Sequence, residues 1–172
     1  MMELVVYRSK YGHTKQYAEW LASARNCEAI PLKKLRKHHI ESHDPIVFGT
    51  GVYIGKMKGL KKVLRRCKHK TLVVFACGGS VKDPAHEAII VKQNLQGVNH
   101  ENLTFFYVPG GIDLRKVKGL MRPFMNIARW MISKKKQPSK DEMEFLKGFE
   151  TPTYYVAEEH LEPMRKYLDD TV

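Results

Sequence analysis

Five short apolar runs, separated by helical patterns and polar segments, set the architecture open to this chain. In the first, Glu3–Tyr7, the residues Leu4, Val5 and Val6 are apolar at consecutive rather than alternate positions. The same holds in Cys27–Leu32, Asp44–Gly51, Thr71–Gly79 and Leu103–Gly111. A strand with two apolar faces must be covered on both, which is the condition of a parallel sheet between layers of helix. The intervening patterns supply those helices. Thr14–Ala24 places Tyr17, Ala18, Leu21 and Ala22 on one stripe, and Gly59–Arg66 carries Leu60, Val63 and Leu64. Pro84–Gln96, a stretch within Leu114–Lys135 and a last one near Leu161–Leu168 complete the set, while Lys33–His43 reads as a basic loop. Strands alternating with helices predict an α/β layer fold. With 172 residues and neither a repeat nor a low-complexity linker, residues 1–172 are read as one domain.

Four of the five runs lead into glycine or small polar residues, and in open α/β sheets ligands bind beyond the carboxyl ends of the strands. The first of these segments, Ser9-Lys10-Tyr11-Gly12-His13-Thr14, joins strand to helix. A helix N-terminus carries unpaired N–H groups and the positive end of the dipole, so an anion is stabilised there. Gly12 permits a tight turn, Ser9 and Thr14 add hydroxyls, and Lys10 and His13 add positive charge. Neither GxGxxG nor GxxxxGK[ST] is present. A plain helix cap through Ser9 or Thr14 explains the same residues, and at this level both readings stand.

The stretch "YRSKYGHTKQYAEWLA" resembles the phosphate loop of flavodoxins, a Ser/Thr-x-x-Gly-x-Thr segment after the first strand. The order of elements and the glycine-ended strands are similar to that family over nearly the whole chain. "FGTGVYIGKMKGLKKVLRR" and "MRPFMNIARWMISKKKQP" resemble the subgroup that includes menaquinone-dependent protoporphyrinogen oxidase. The expected fold is then a doubly wound, five-stranded parallel sheet of order 2-1-3-4-5 with helices on both faces. It carries a basic helical insertion near residues 114–137. The resemblance implies one FMN, its phosphate held by Ser9, Lys10, Tyr11, Gly12, His13 and Thr14. The flavin ring would lie between Thr50, Gly51, Val52, Tyr53, Ile54 and Gly55 on one side and Cys77, Gly78, Gly79 and Ser80 on the other. Tyr53 is the candidate to stack on the ring. The second wall departs from flavodoxins, which often carry an aromatic there. Cys77 so placed invites a redox role, or is a small buried residue closing a strand. In "PGGIDLRK", Gly110 and Gly111 are expected to leave room for substrate or ring.

The charge bears on partners. Lys and Arg number 30 against 18 Asp and Glu, a net charge of +12. Residues 1–140 hold 27 of these bases but only nine of the acids, so a basic body carries an acidic end. Such a body suits an acidic redox partner protein, a small anionic or quinone-type substrate, or a membrane surface. No nucleic-acid-binding motif accompanies the charge, so no specific nucleic acid is expected. Within Leu114–Met131, the stripe Leu114, Val117, Met121, Phe124, Ala128 and Met131 is expected to face a core, with Pro123 breaking the run or starting the main helix. Met125, Trp130 and Ile132 fall off the stripe, and Lys134, Lys135 and Lys136 follow, which also fits peripheral membrane contact. No apolar run approaches the ~20 residues of a membrane span, and no signal segment is evident, so a cytoplasmic location is expected. Cys27, Cys67 and Cys77 form no disulfide framework and no metal-ligand spacing, and no catalytic residue is assigned. Three functions compete: an FMN-dependent oxidoreductase, a flavodoxin-type electron carrier, and an interaction module without flavin.

Overall fold

The computed structural model describes residues 2–79, 84–116 and 121–171. They form two compact units, Met1–Gly110 with Tyr155–Val172, and Gly111–Tyr154. In chain order the first unit runs β1 (Met2–Arg8), α1 (His13–Ala24), β2 (Glu28–Pro31), α2 (Lys37–Ser42), β3 (His43–Tyr53), β4 (Lys56–Met57), α3 (Leu60–Arg66), β5 (Leu72–Gly78), α4 (Pro84–Leu95) and β6 (Leu103–Pro109). The second holds β7 (Gly111–Ile112), α5 (Met121–Ser133), α6 (Lys140–Glu150) and β8 (Thr153–Tyr154). The chain then returns to the first unit with α7 (Glu162–Thr171).

The main sheet is parallel, in the order β2-β1-β3-β5-β6, with β4 folded back antiparallel on β3. Apart from that two-residue hairpin strand, this is the expected doubly wound order. The consecutive apolar residues of each strand divide between two cores, because successive side chains point to opposite faces. Leu4, Val6, Ile46, Phe48, Leu72 and Val74 pack on one face with Leu60, Val63 and Ile90 from α3 and α4. Val5, Val47, Val73 and Phe75 pack on the other with Tyr17, Leu21, Met164 and Leu168 from α1 and α7. The stripe expected on α1 is buried throughout. The outer strands β2 and β6 each end on a proline, Pro31 and Pro109.

An ion cluster ties these layers at the amino end of the sheet. Glu3 on β1 is only 8% exposed. Arg25, which caps α1, donates from Nε to both Glu3 oxygens at 3.0 and 2.9 Å and from Nη2 at 2.5 Å. Its Nη1 reaches Asp169 of α7. These hydrogen bonds, Glu3 first, hold the guanidinium pKa above its already high value against the cost of burial.

Three local expectations are corrected. The Lys33–His43 segment is not a loop: a 3-10 turn over Leu32–Lys34 leads into α2, whose start is closed by the Arg36 N–H donating to His39 Nδ1 at 3.0 Å. Helix α6, absent from the reading, is started by a capping box: Ser139 Oγ accepts the Glu142 N–H at 3.2 Å, and Glu142 accepts the Ser139 N–H at 2.9 Å. The stripe expected to be core on α5 is not buried, since Phe124 is 67% exposed and Met131 is also open. Trp130, off that stripe, is 63% exposed. The unit is too small for its two helices to cover each other all round; α5 meets α6 where Arg129 lies over the Phe149 ring at 5.1 Å and Lys135 pairs with Glu142. Pro123 sits in the first turn of α5, where its missing N–H has no helical acceptor to lose. Val117 lies outside the described residues.

Candidate functional site

The strand order reverses between β1 and β3, where Arg8 pairs with Thr50 at the carboxyl ends. A doubly wound sheet opens its ligand crevice at such a switch point. The Ser9–Thr14 segment lies on one side of it and the end of β3 on the other.

Gly12 is the N-cap of α1, with φ +101° and no side-chain cap. That φ excludes comfortable occupancy by residues with a Cβ, and the space a Cβ would enter beside Gly12 is open. The two hydroxyls proposed as caps are used otherwise. Ser9 Oγ accepts the Gly12 N–H at 3.1 Å and braces the loop. Thr14 is buried and hydrogen-bonds Cys77. Among the described residues the N-cap of α1 thus supplies no side-chain acceptor to the helix's first turn, the arrangement that favours an external anion.

Thr50 to Gly55 is not an irregular loop. Strand β3 continues to Tyr53 and turns through Ile54 (φ +51°) and Gly55 (φ +70°) into β4. Two central residues of positive φ are the mark of a tight hairpin turn. Thr50 is fully buried and spends its hydroxyl on the Lys58 carbonyl at 2.9 Å. Tyr53 lies back over Gly51, and its hydroxyl accepts a hydrogen bond from the Lys10 backbone N–H. Burial pushes that hydroxyl up to about 12, so it is neutral at ordinary pH. The Tyr53 and Tyr11 rings are 6.1 Å apart at 59°, and Lys10 Nζ lies 5.0 Å from the Tyr11 centroid and 5.8 Å from that of Tyr53. The structure thus joins Lys10 and Tyr11 of the first segment to Tyr53 of the second in one aromatic and cationic cluster.

The sequence offered no motif for the residue that holds this hairpin. Asn94 on α4 accepts the Met57 N–H at 2.9 Å and donates to the Gly55 carbonyl at 2.7 Å and the Ile90 carbonyl at 2.9 Å. Val52 and Ile54 contribute no side-chain polar group, and Ile54 is 78% exposed.

Cys77 and Gly78 end β5, Gly79 follows, and Ser80 lies outside the described residues. A Cβ at Gly110 would lie 2.7 Å from Cys77 Sγ and 2.8 Å from the Gly78 carbonyl, and 3.4 Å from His13 Nδ1. The Gly110 N–H donates to that carbonyl at 2.6 Å. Gly110 therefore lets β5 and β6 close together and does not leave room for a ligand, contrary to the expectation. Tyr17 fixes the same corner, donating to the Pro109 carbonyl at 2.7 Å.

Burial pushes the Cys77 thiol up to about 12, partly offset by the Thr14 hydrogen bond. A thiolate is the reactive form, so Cys77 is inert at neutral pH. Burial also raises Cys27 and Cys67, each to about 11. In a native-state iodoacetamide time course at pH 8, about one part in ten thousand of Cys77 is thiolate, so labelling is negligible. Labelling should rise tenfold per pH step up to the folded pKa and become rapid on unfolding. Fast labelling of Cys77 in the native protein at pH 8 would restore the redox reading.

Comparison with known proteins places this edge in context. A flavodoxin domain family model matches residues 4–140. No curated protein matches the chain. Among solved structures, a flavoprotein from Bacteroides eggerthii is 18% identical over 73% of this chain and 96% of its own, with a TM-score of 0.49. A flavodoxin from the Archaea is 19% identical over 63% and 83%, with a TM-score of 0.45. A general stress protein from Treponema denticola, solved in complex with FMN, is 11% identical over 85% and 91%, with a TM-score of 0.46. With the family model spanning most of the sheet and its strand-end segments, the chain belongs to the flavodoxin domain family.

Proposed function

We propose that this protein binds FMN and is an oxidoreductase similar to menaquinone-dependent protoporphyrinogen oxidase, with a small anionic or quinone-type substrate. The observation that carries the reading is the meeting of the uncapped α1 N-terminus with the Lys10, Tyr11 and Tyr53 cluster at the switch point. The residues fit the group: open space beside Gly12 receives a phosphate, and two aromatic side chains next to it offer faces for a flat ring. When bound, FMN supplies the electron-transfer chemistry. The residues of the chain then bind and orient. Backbone N–H groups at the start of α1 hold the phosphate, and Lys10 adds charge. Asn94 keeps the Tyr53 hairpin in place, and burial keeps Cys77 neutral and out of the reaction.

The charge favours an enzyme over a carrier, because flavodoxin-type carriers are usually acidic and this body is basic. Helix α5 supports a site of action at an anionic membrane surface, where quinones dissolve. It exposes Phe124, Ile127, Trp130 and Met131 beside Arg122, Arg129 and Lys134–Lys136. No helix among the described residues is long and apolar enough to cross a membrane. The proposed location is cytoplasmic, on that surface. The test is FMN retention through gel filtration, then turnover of protoporphyrinogen with menaquinone supplied in phosphatidylglycerol vesicles. Retained flavin and turnover are expected. Turnover of neither substrate, with fast electron exchange with a ferredoxin reductase, would assign a carrier instead; failure to retain or respond to FMN would leave the interaction module.

A further inference from the structure

Beyond the flavin crevice, the same edge of the sheet holds a cavity of about 740 Å3 where the carboxyl ends of β1 and β2 open beside the start of α3. Arg8, Lys15, Lys33 and Lys62 line it, with Pro31 and Leu32, and none of its lining residues is acidic. Lys15 holds Glu19 at 3.4 Å in an exposed pair that water screens readily. Among the described residues Arg8, Lys33 and Lys62 meet no carboxylate.

Gathering four cations in one concavity, three of them without a carboxylate partner among the described residues, costs self-repulsion, and a concave basic wall raises the local concentration of anions. The volume lies within the range of small-molecule sites and far exceeds one phosphate ion, so the matching ligand has a body as well as charge. Pro31 is half-buried and Leu32 buried, which gives that body an apolar surface. Arg8 adds a planar fork suited to two oxygens of one carboxylate or phosphate group. Of the residues assigned to the flavin, only Ser9 also lines this cavity, and its hydroxyl oxygen is engaged by the Gly12 N–H.

We propose that this cavity binds a small organic polyanion, two or more carboxylate or phosphate groups on an apolar body, and does so with the flavin in place. Its simultaneity with flavin rests on the FMN reading above; the binding itself does not. Neighbouring the phosphate loop, the bound polyanion is a substrate or effector held beside the cofactor.

The experiment is isothermal titration of the full chain, with and without saturating FMN, using inorganic pyrophosphate and isophthalate as probes. At least one should bind at low salt, weaken as salt rises, and keep its affinity when FMN is added. Tighter pyrophosphate assigns phosphate groups; tighter isophthalate assigns carboxylates on a ring. Losing the two cations in Lys33→Gln/Lys62→Gln should weaken the better probe about a hundredfold, roughly tenfold for each charge-assisted contact. FMN affinity and melting temperature should stay unchanged, since both lysines are exposed. The proposal is overturned if FMN displaces the probe, which would make the cavity part of the flavin phosphate site. It is equally overturned if neither probe binds or if the variant binds as the parent does. A protein that takes the probe but no FMN would sink the cofactor reading and leave the cavity assigned.

Discussion

Replacing Gly12 with valine should weaken FMN about a hundredfold while changing riboflavin affinity by no more than about threefold, a difference carried by the phosphate alone. The two ligands share the ring and ribityl chain, so their ratio reports only what holds the phosphate. Gly12 sits at φ +101°, a backbone state β-branched residues avoid, and it is the residue at which α1 begins. Valine there must either distort the turn that aims the first N–H groups of α1 or thrust a side chain into the open space beside them. Gly12→Asn, which tolerates positive φ better, should lose less. The measurement is quenching of flavin fluorescence by titrated protein. Equal losses for FMN and riboflavin would place the phosphate elsewhere. Thr14 is a poorer probe of the same question. It is buried against Cys77, so Thr14→Asp would test the fold and not the phosphate.

Arg25→Ala should destabilise the protein by about 3–5 kcal/mol, because it strands the Glu3 carboxylate in a buried position. For a domain of this size that lowers the melting temperature by roughly 10 °C. The converse change, Glu3→Ala, leaves a half-neutralised guanidinium that still has Asp169, and should cost less. Replacing both partners, as Glu3→Leu/Arg25→Met, should recover most of the loss, since two apolar groups need no mutual hydrogen bonds. Urea titration and thermal circular dichroism measure these differences. A loss below about 1 kcal/mol for Arg25→Ala would show that the pair behaves as a solvated surface bridge. The cluster lies at the start of β1 and the flavin crevice beyond its end, so the folded variant should bind FMN normally.

The strands were legible because burial on two faces leaves a dense apolar run, and the order followed from the family resemblance those runs helped to carry. Helix α2 was not legible. Its six residues, Lys37–Ser42, contain one aliphatic side chain, Ile40, and its start relies on a histidine ring standing in for the usual cap. Helix α6 could have been found, since Ser139 followed three residues later by Glu142 is a capping-box signature before Phe145 and Phe149. In the site, Gly12 and Tyr53 were readable as residue types in a spacing. Asn94 was not: it acts across 39 positions on Gly55, and nothing local distinguishes a helical asparagine that clamps a hairpin from one that faces water. The exposed face of α5 misled because periodicity reports that a helix has an apolar side, not that anything covers it.

The prolines that close β2 and β6 bear on what happens when two partly folded copies meet. An open sheet offers unpaired N–H and carbonyl groups along its outer strands, which can template a strand from another chain. Pro31 has no N–H to offer, β2 is only four residues long, and Lys33 and Lys34 follow it with like charge. On the far side Pro109 also lacks the donor, and its carbonyl is already taken by Tyr17. At both margins, then, the end of the strand nearest the ligand crevice resists recruitment into a growing aggregate. The crevice can stay open to small molecules without opening the sheet to its own kind.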